Sequence, residues 1–236
     1  MTGQLFISEP MASRTLISST RDPEEGKTAG ARWRRRKDAR PQEILDAALA
    51  VFAEKGFAAA RIDEIATRAG VAKGTIYLYF ESKAAVFTAL VKDRLAPELS
   101  HVADMARQYE GAAAPLLAGL LRTIGGFLRT SNLVVLPKIV IAEAGNFPDL
   151  ARMYREVVVD RGTALLGAII AKGQARGEFK PMPIEHAVRL AIAPLLLIAI
   201  WRTTFANFDS APYDYEGLIE THIATLLAGL ATEPST

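Results

Sequence analysis

Between Ile62 and Lys83 the sequence leaves the backbone few choices. Ile62, Ile65, Ala66 and Ala69 recur at helical spacing, Gly70 interrupts, and after Val71 a second short helix can run from Lys73 to about Phe80. Glycine enters left-handed backbone at little steric cost, so Gly70 permits a tight turn and Val71 can fill the angle between the helices. The pattern is a helix-turn-helix. In its second helix Ile76 and Phe80 lie four apart and face inward, which turns Lys73, Gly74, Thr75, Tyr77 and Tyr79 outward. A cation, a hydroxyl and two phenols at the start of an exposed helix suit the DNA major groove and its flanking phosphates. Lys83, near the start of the next helix, is again placed for phosphate, and Arg61 adds charge at the head of the first.

The flanks extend this unit. From Pro41 to Lys55 the apolar set Ile44, Leu45, Ala48, Val51 and Phe52 forms one face of an amphipathic helix, with Pro41 at its start and Gly56 at its end. A further helix begins at Ser82 as N-cap and carries Val86, Phe87, Leu90, Val91 and Leu95 on one face, joining the unit to the rest of the chain.

Gly56-Phe57, Ile65-Ala66, Ala69-Gly70-Val71, Lys73-Gly74-Thr75, Tyr77 to Phe80 and Ser82-Lys83 together resemble the signature of the TetR family of transcriptional regulators, in order and at the family's spacing, over roughly residues 40 to 95. Two positions depart from it. Ala60 and Arg61, and also Ala72, stand where the family often has hydroxyl residues that cap helices or touch phosphate. The resemblance implies an all-α protein, with a three-helix DNA-binding domain and a larger C-terminal helical domain for ligand binding and dimerisation. It also implies that the helix over 82–95 carries the ligand signal.

The formal net charge of +2 is too small to argue nucleic-acid binding by itself. Its distribution says more, because basic residues outnumber acidic ones between Arg32 and Lys83. The absence of cysteine removes disulfides, thiol chemistry and Cys-based zinc sites, and fits a reducing cytoplasm. Residues 1–38 are polar and charged, with scattered apolar residues, and read as a disordered basic tail without a signal peptide's apolar core; Met11 offers a second start. Within it Arg34, Arg35 and Arg36 resemble the basic arms that some DNA-binding domains lay in the minor groove, though such a run is equally a solvated surface segment. The division is then 1–38 tail, 39–95 DNA-binding domain with linker helix, and 96–232 effector and dimerisation domain.

Beyond residue 97 the pattern predicts helices near 98–109, 114–130, 133–144, 148–176, 184–206 and 215–231. Leu190 to Trp201 is apolar all round but too short for the about 20 residues of a membrane span, so burial is expected instead. With the stripe Leu218, Ile219, His222, Ile223, Leu226, Leu227 and Leu230, it suits the two-helix contribution to a dimeric four-helix bundle that the resemblance implies. Both segments could also simply cover their own core. Two copies would read half-sites about 34–36 Å apart in a near-palindromic operator.

Polar residues in apolar surroundings, Arg122, Glu143, Tyr154, Arg161 and Trp201, are the candidate contacts for a small effector, lipophilic or aromatic if its pocket is largely apolar. Gly125-Gly126, Gly162 and Gly167 fall inside predicted helices, beside a pocket or at close helix packing. No nucleophile elbow, P-loop, dinucleotide fingerprint or paired-histidine metal motif occurs, and His101, His186 and His222 lack metal-ligand spacing, so neither catalysis nor a cofactor is expected. The reading is a dimeric repressor released from double-stranded DNA by an effector. Alternatives are an activator, or a helical ligand-binding or interaction protein with impaired DNA binding.

Overall fold

The computed structural model describes residues 25–232, with side chains from Arg40 onward. Helix α1 spans Glu25–Ala59 and contains Pro41. Residues 25–38, read from sequence as tail, therefore carry helical backbone, as the Ala, Arg and Lys of that run favour. The remainder of the expected tail, residues 1–24, lies outside the described residues. Gly56, at φ 76°, takes the left-handed conformation and turns the chain out of α1 toward α2.

α2 (Ile62–Arg68) and α3 (Lys73–Tyr77) form the helix-turn-helix. Gly70 has φ 66°, and the Val71 N–H donates to the Ala66 carbonyl at 3.0 Å, closing the end of α2. α3 is shorter than expected: beyond Tyr77 the N–H groups of Tyr79 and Phe80 both return to the Ile76 carbonyl, in a tight terminal turn. Both helices begin without a side-chain cap at Arg61 and Ala72, whereas Ser82 accepts from the Ala85 N–H and starts α4 (Lys83–Leu90). Glu64 supplies one compensation, accepting the Arg61 N–H at 3.2 Å.

The linker helix does not stop at residue 95. α4 runs through a wide turn over Val91–Leu95 into α5 (Ala96–Gln108), where the Ala96 N–H reaches back five residues to Val91. That turn explains why Pro97 fails to break the helix: the regular i−4 ladder is already relaxed just ahead of it. A second wide turn, Arg155–Val159, joins α8 (Pro148–Tyr154) to α9 (Asp160–Ala175), and the two wide turns pack against each other.

α6 (Ala113–Thr130), α7 (Val135–Glu143), α10 (Ile184–Thr204) and α11 (Tyr215–Leu230) complete the C-terminal half close to their predicted positions. Among the described residues extended pairing is confined to an antiparallel bridge between Phe179 and Ala231. Two cores result. One joins Ile44, Phe52, Phe57, Ile65, Ile76 and Phe87 of the DNA-reading head to Leu136, Ile139, Leu150 and Tyr154 of α7 and α8. The other fills the space among α6, α9, α10 and α11, including Leu117, Leu121, Ile170 and Leu195. From Pro41 onward the described residues form one compact unit, with the first core running across residue 95.

Glycine at 125 serves close packing, since a Cβ there would lie 2.7 Å from the Ile219 side chain of α11. Gly126 and Gly162 face open space instead.

The uncapped start of α3 yields a direct test. Ala72 is exposed with φ −70° and ψ 148°, a backbone that Ser adopts as N-cap. Ala72→Ser is expected to raise unfolding free energy by about 0.5–1 kcal/mol in a urea titration.

Candidate nucleic-acid interface

The face built by the starts of α2 and α3 carries most of the expected contact residues. Arg61, Lys73, Gly74 and Tyr77 are exposed and Thr75 is partly so, while Ile76 is fully buried beneath them. Nothing lies within 4 Å of a Cβ placed on Gly74, so its surface is open to an approaching backbone. Tyr79 is half-buried against the head's core, its ring 6.5 Å from that of Phe80, so it faces outward only in part. Leu78, missing from the expected set, is 81% exposed beside Tyr77. Its position two residues past the buried Ile76 was the available signal, since that step turns a helical side chain away from the core.

The cations on this face are not idle. Lys73 pairs with Asp63 at 2.9 Å, and Arg61 approaches the same carboxylate at 3.7 Å. The hydrogen bond from Lys73 holds Asp63 below its ordinary pKa, and Asp63 in turn raises that of Lys73. Exposed pairs of this kind are weak, so phosphate can replace Asp63 at small cost. Behind the face, Arg68 grips Glu54 through two bonds at 2.6 and 2.8 Å, and Lys55 reaches Glu64 at 2.5 Å, fixing α2 against α1. These pairs also hold Glu54 and Glu64 below the ordinary range, through Arg68 and Lys55 respectively.

Lys83 departs from the sequence expectation. Its ammonium donates to the carbonyls of Phe57, Ala58 and Ala60 at 2.6, 2.9 and 2.9 Å and lies 4.7 Å from the Phe57 ring centre. All three N–H bonds are spent inward on carbonyls of the segment that follows the break at Gly56. Burial lowers its pKa, with the charge of Glu143 acting in the opposite direction. Lys83 thus braces the α1–α2 corner.

Arg34, Arg35 and Arg36 lie on the helical backbone of α1, but their side chains lie outside the described residues.

The five effector candidates are not brought together. Arg122 is paired with Glu220 at 2.6 and 2.7 Å, Arg161 is exposed, and Trp201 donates to Asp209 at 2.9 Å and lies tilted against the Phe205 ring. Tyr154 and Glu143 are buried in the part of the protein shared with the head, and burial pushes the Tyr154 pKa up. A surface hollow of about 630 Å³ at the α10–α11 connection, lined by Arg129, Asp209, Tyr213 and Glu216 among others, holds none of the five. Their scatter has a common cause: each polar group has found a local partner or core position that periodicity does not reveal.

α10 is apolar and long enough to cross a membrane, yet Ala187, Val188, Ala191, Leu195, Ile198 and Ala199 turn into the protein, and it packs on α6, α7 and α9. Leu190, Leu197 and Trp201, at helical spacing on another side, are 57%, 54% and 39% exposed. On α11 the expected stripe mostly covers its own core through Ile219, Ile223, Leu226 and Leu230, and small residues such as Ala224, Ala228 and Gly229 face outward.

The role of Lys83 separates cleanly from that of Lys73. Lys83→Met is expected to lower stability by on the order of 2 kcal/mol in urea unfolding, as loss of charge-assisted bonds does. It should leave the salt slope of DNA binding unchanged. Lys73→Ala should leave stability nearly intact and flatten that slope by about 0.9, the share of one phosphate.

Known proteins agree with this geometry. Residues 44–90 match the bacterial regulatory proteins of the tetR family, and residues 116–211 match the tetracyclin repressor-like C-terminal domain. The chain is 27% identical over 197 residues to the fatty acid metabolism regulator protein of Bacillus subtilis, covering 82% of this chain and 98% of that protein. It is also 27% identical over 197 residues to the transcriptional regulator RutR of Escherichia coli, covering 79% and 81% of the two chains. The fold resembles the crystal structure of the regulator FadR from Bacillus subtilis in complex with stearoyl-CoA, with a TM-score of 0.68 and 23% identity over 80% of this chain and 98% of that one. These relatives are transcription regulators rather than enzymes, and with both halves of the chain matched, it belongs to the TetR family of transcriptional regulators.

Proposed function

We propose that this regulator is a cytoplasmic homodimeric repressor that leaves a near-palindromic operator when a lipophilic effector binds. The observation that carries the reading is the surface of α3, where Lys73, Gly74 and Tyr77 are exposed and Thr75 partly so above a buried Ile76. Groups of this kind serve two purposes: Thr75 and Tyr77 can meet base edges, and Lys73 with Arg61 can meet phosphate. Arg34, Arg35 and Arg36 add a minor-groove arm.

The second subunit covers the apolar strip of Leu190, Leu197 and Trp201 on α10, with the small outer residues of α11 allowing close approach. The effector lodges among α6, α9 and α10, where Leu121, Leu166 and Leu195 offer apolar surroundings. A long-chain acyl thioester is the first compound to test, because one similar structure holds stearoyl-CoA. Its arrival moves the α4–α5 linker and changes the separation of the two α3 helices, and a differential binding energy of about 1–3 kcal/mol makes a useful switch.

The test is a titration of the purified protein against duplex from the flank of its own gene and operators selected from randomised DNA, beside random duplex, at near-physiological salt. A preference of about a thousandfold for a palindromic site, one dimer bound, with release on adding stearoyl-CoA or another lipophilic compound, is the expected result. Equal affinity for all duplexes, or operator affinity indifferent to every compound that binds, would contradict it. Thr75→Ala is expected to relax preference at one base position, with a loss of about 1–3 kcal/mol on operator and little change on random DNA.

A further inference from the structure

Glu143 is the charged side chain that the described part of the molecule buries, at 8% exposed. It is also the last residue of α7. A carboxylate there suffers twice, from desolvation and from the negative end of the helix dipole, so nothing in α7 itself favours it. Its partners lie outside α7, the farthest of them 85 residues away. Its Oε1 accepts the Ala58 N–H at 3.0 Å, its Oε2 accepts from the Asn146 amide at 3.3 Å, and the Lys83 ammonium lies within reach of its charge.

The adjoining Phe147 repeats the contact in apolar form. Its ring meets Phe57 edge to face with centres 5.0 Å apart, and the Phe147 N–H is held by the Glu143 carbonyl at 2.8 Å. The Phe57-Ala58 corner is therefore gripped from both sides, by Lys83 from within the head and by Glu143 with Phe147 from the α7–α8 corner. Ala58 precedes α2 by three residues of chain, so whatever holds this corner sets where α2 and α3 point. On its other side α7 packs along α10, and Lys138 of α7 donates to the Thr203 carbonyl near the end of α10 at 2.6 Å.

We propose that Glu143 is a positioning residue for the helix-turn-helix, and that with Phe147 it transmits the state of the C-terminal half to the head by a route that bypasses the linker helix. The consequence for DNA rests on the regulator reading above; the mechanical consequence does not. A carboxylate suits the task because it accepts from Ala58 and Asn146 at once while opposing the Lys83 charge, and an amide keeps the acceptor for Ala58 and loses the charge.

The experiment compares the full-length protein with Glu143→Ala, Glu143→Gln and Phe147→Leu by hydrogen–deuterium exchange and by titration against the selected operator and random duplex. Glu143→Ala is expected to speed exchange at least tenfold in peptides covering 55–62, leaving α9 to α11 unchanged, and to weaken operator binding at least tenfold. Binding to random duplex should fall far less, with Glu143→Gln intermediate and Phe147→Leu a milder copy of the alanine variant. Unchanged exchange over 55–62, or an equal rise in every helix, would overturn the proposal, as would faster local exchange with operator preference intact. If the wild-type protein prefers no duplex, the regulator reading fails by itself. Exchange then decides alone, with a local rise at 55–62 sustaining the mechanical coupling and its absence overturning it.

Discussion

The short backbone corner at Phe57 and Ala58 is the constraint on which the rest of the head depends. At Gly56 the backbone leaves helical geometry, and the carbonyls of the segment that follows come within reach of a single side chain. Lys83 meets three of them with one ammonium, and the ring of Phe57 beneath it packs with Phe52 and Phe87 at 5.5 and 5.7 Å. This places α4 on the same corner that starts α2. The recognition helix is thus seated on α2 and on the head's core through Ile76, with Gly74, Tyr77 and Leu78 turned to the surface.

Because that corner is shared, the head has no core of its own. Its apolar residues are continuous with those of α7 and α8, and the wide turn in the linker helix packs on the wide turn between α8 and α9. Both turns interrupt the regular helical ladder where the head meets the C-terminal half. Helices with such interruptions have more than one favourable way to continue, which suits elements that must shift between two arrangements. The second core, among α6 and α9 to α11, is separate from the first and apolar.

Much of this was legible in the sequence because it rests on local rules. Gly70 announced its positive φ, Gly56 the end of the first helix, Ser82 its cap, and the spacing of Ile65, Ala66 and Ile76 the buried side of the helix-turn-helix. The C-terminal helices followed from periodicity and breakers. What escaped depended on partners distant along the chain. Lys83 looks like a phosphate contact until Phe57, Ala58 and Ala60 are brought to it, and Glu143 looks like a ligand contact until Ala58 is. Pro97 reads as a helix stop because the turn that accommodates it has no sequence signature. On α11 the breadth of the apolar stripe was visible, but which part faced its own core was set by α6 through Gly125.

In the proposed mechanism the C-terminal half sets the position of two paired heads. Since the chain has no cysteine, one introduced at the exposed Ala84 on α4 can carry a single spin label per subunit, and the distance between labels in the pair can be measured directly. With operator bound the account requires one narrow distribution, consistent with recognition helices about 34–36 Å apart, and a displaced or broadened one when a lipophilic effector replaces DNA. Absence of any dipolar coupling at micromolar protein, or the same distribution in every state, would contradict it.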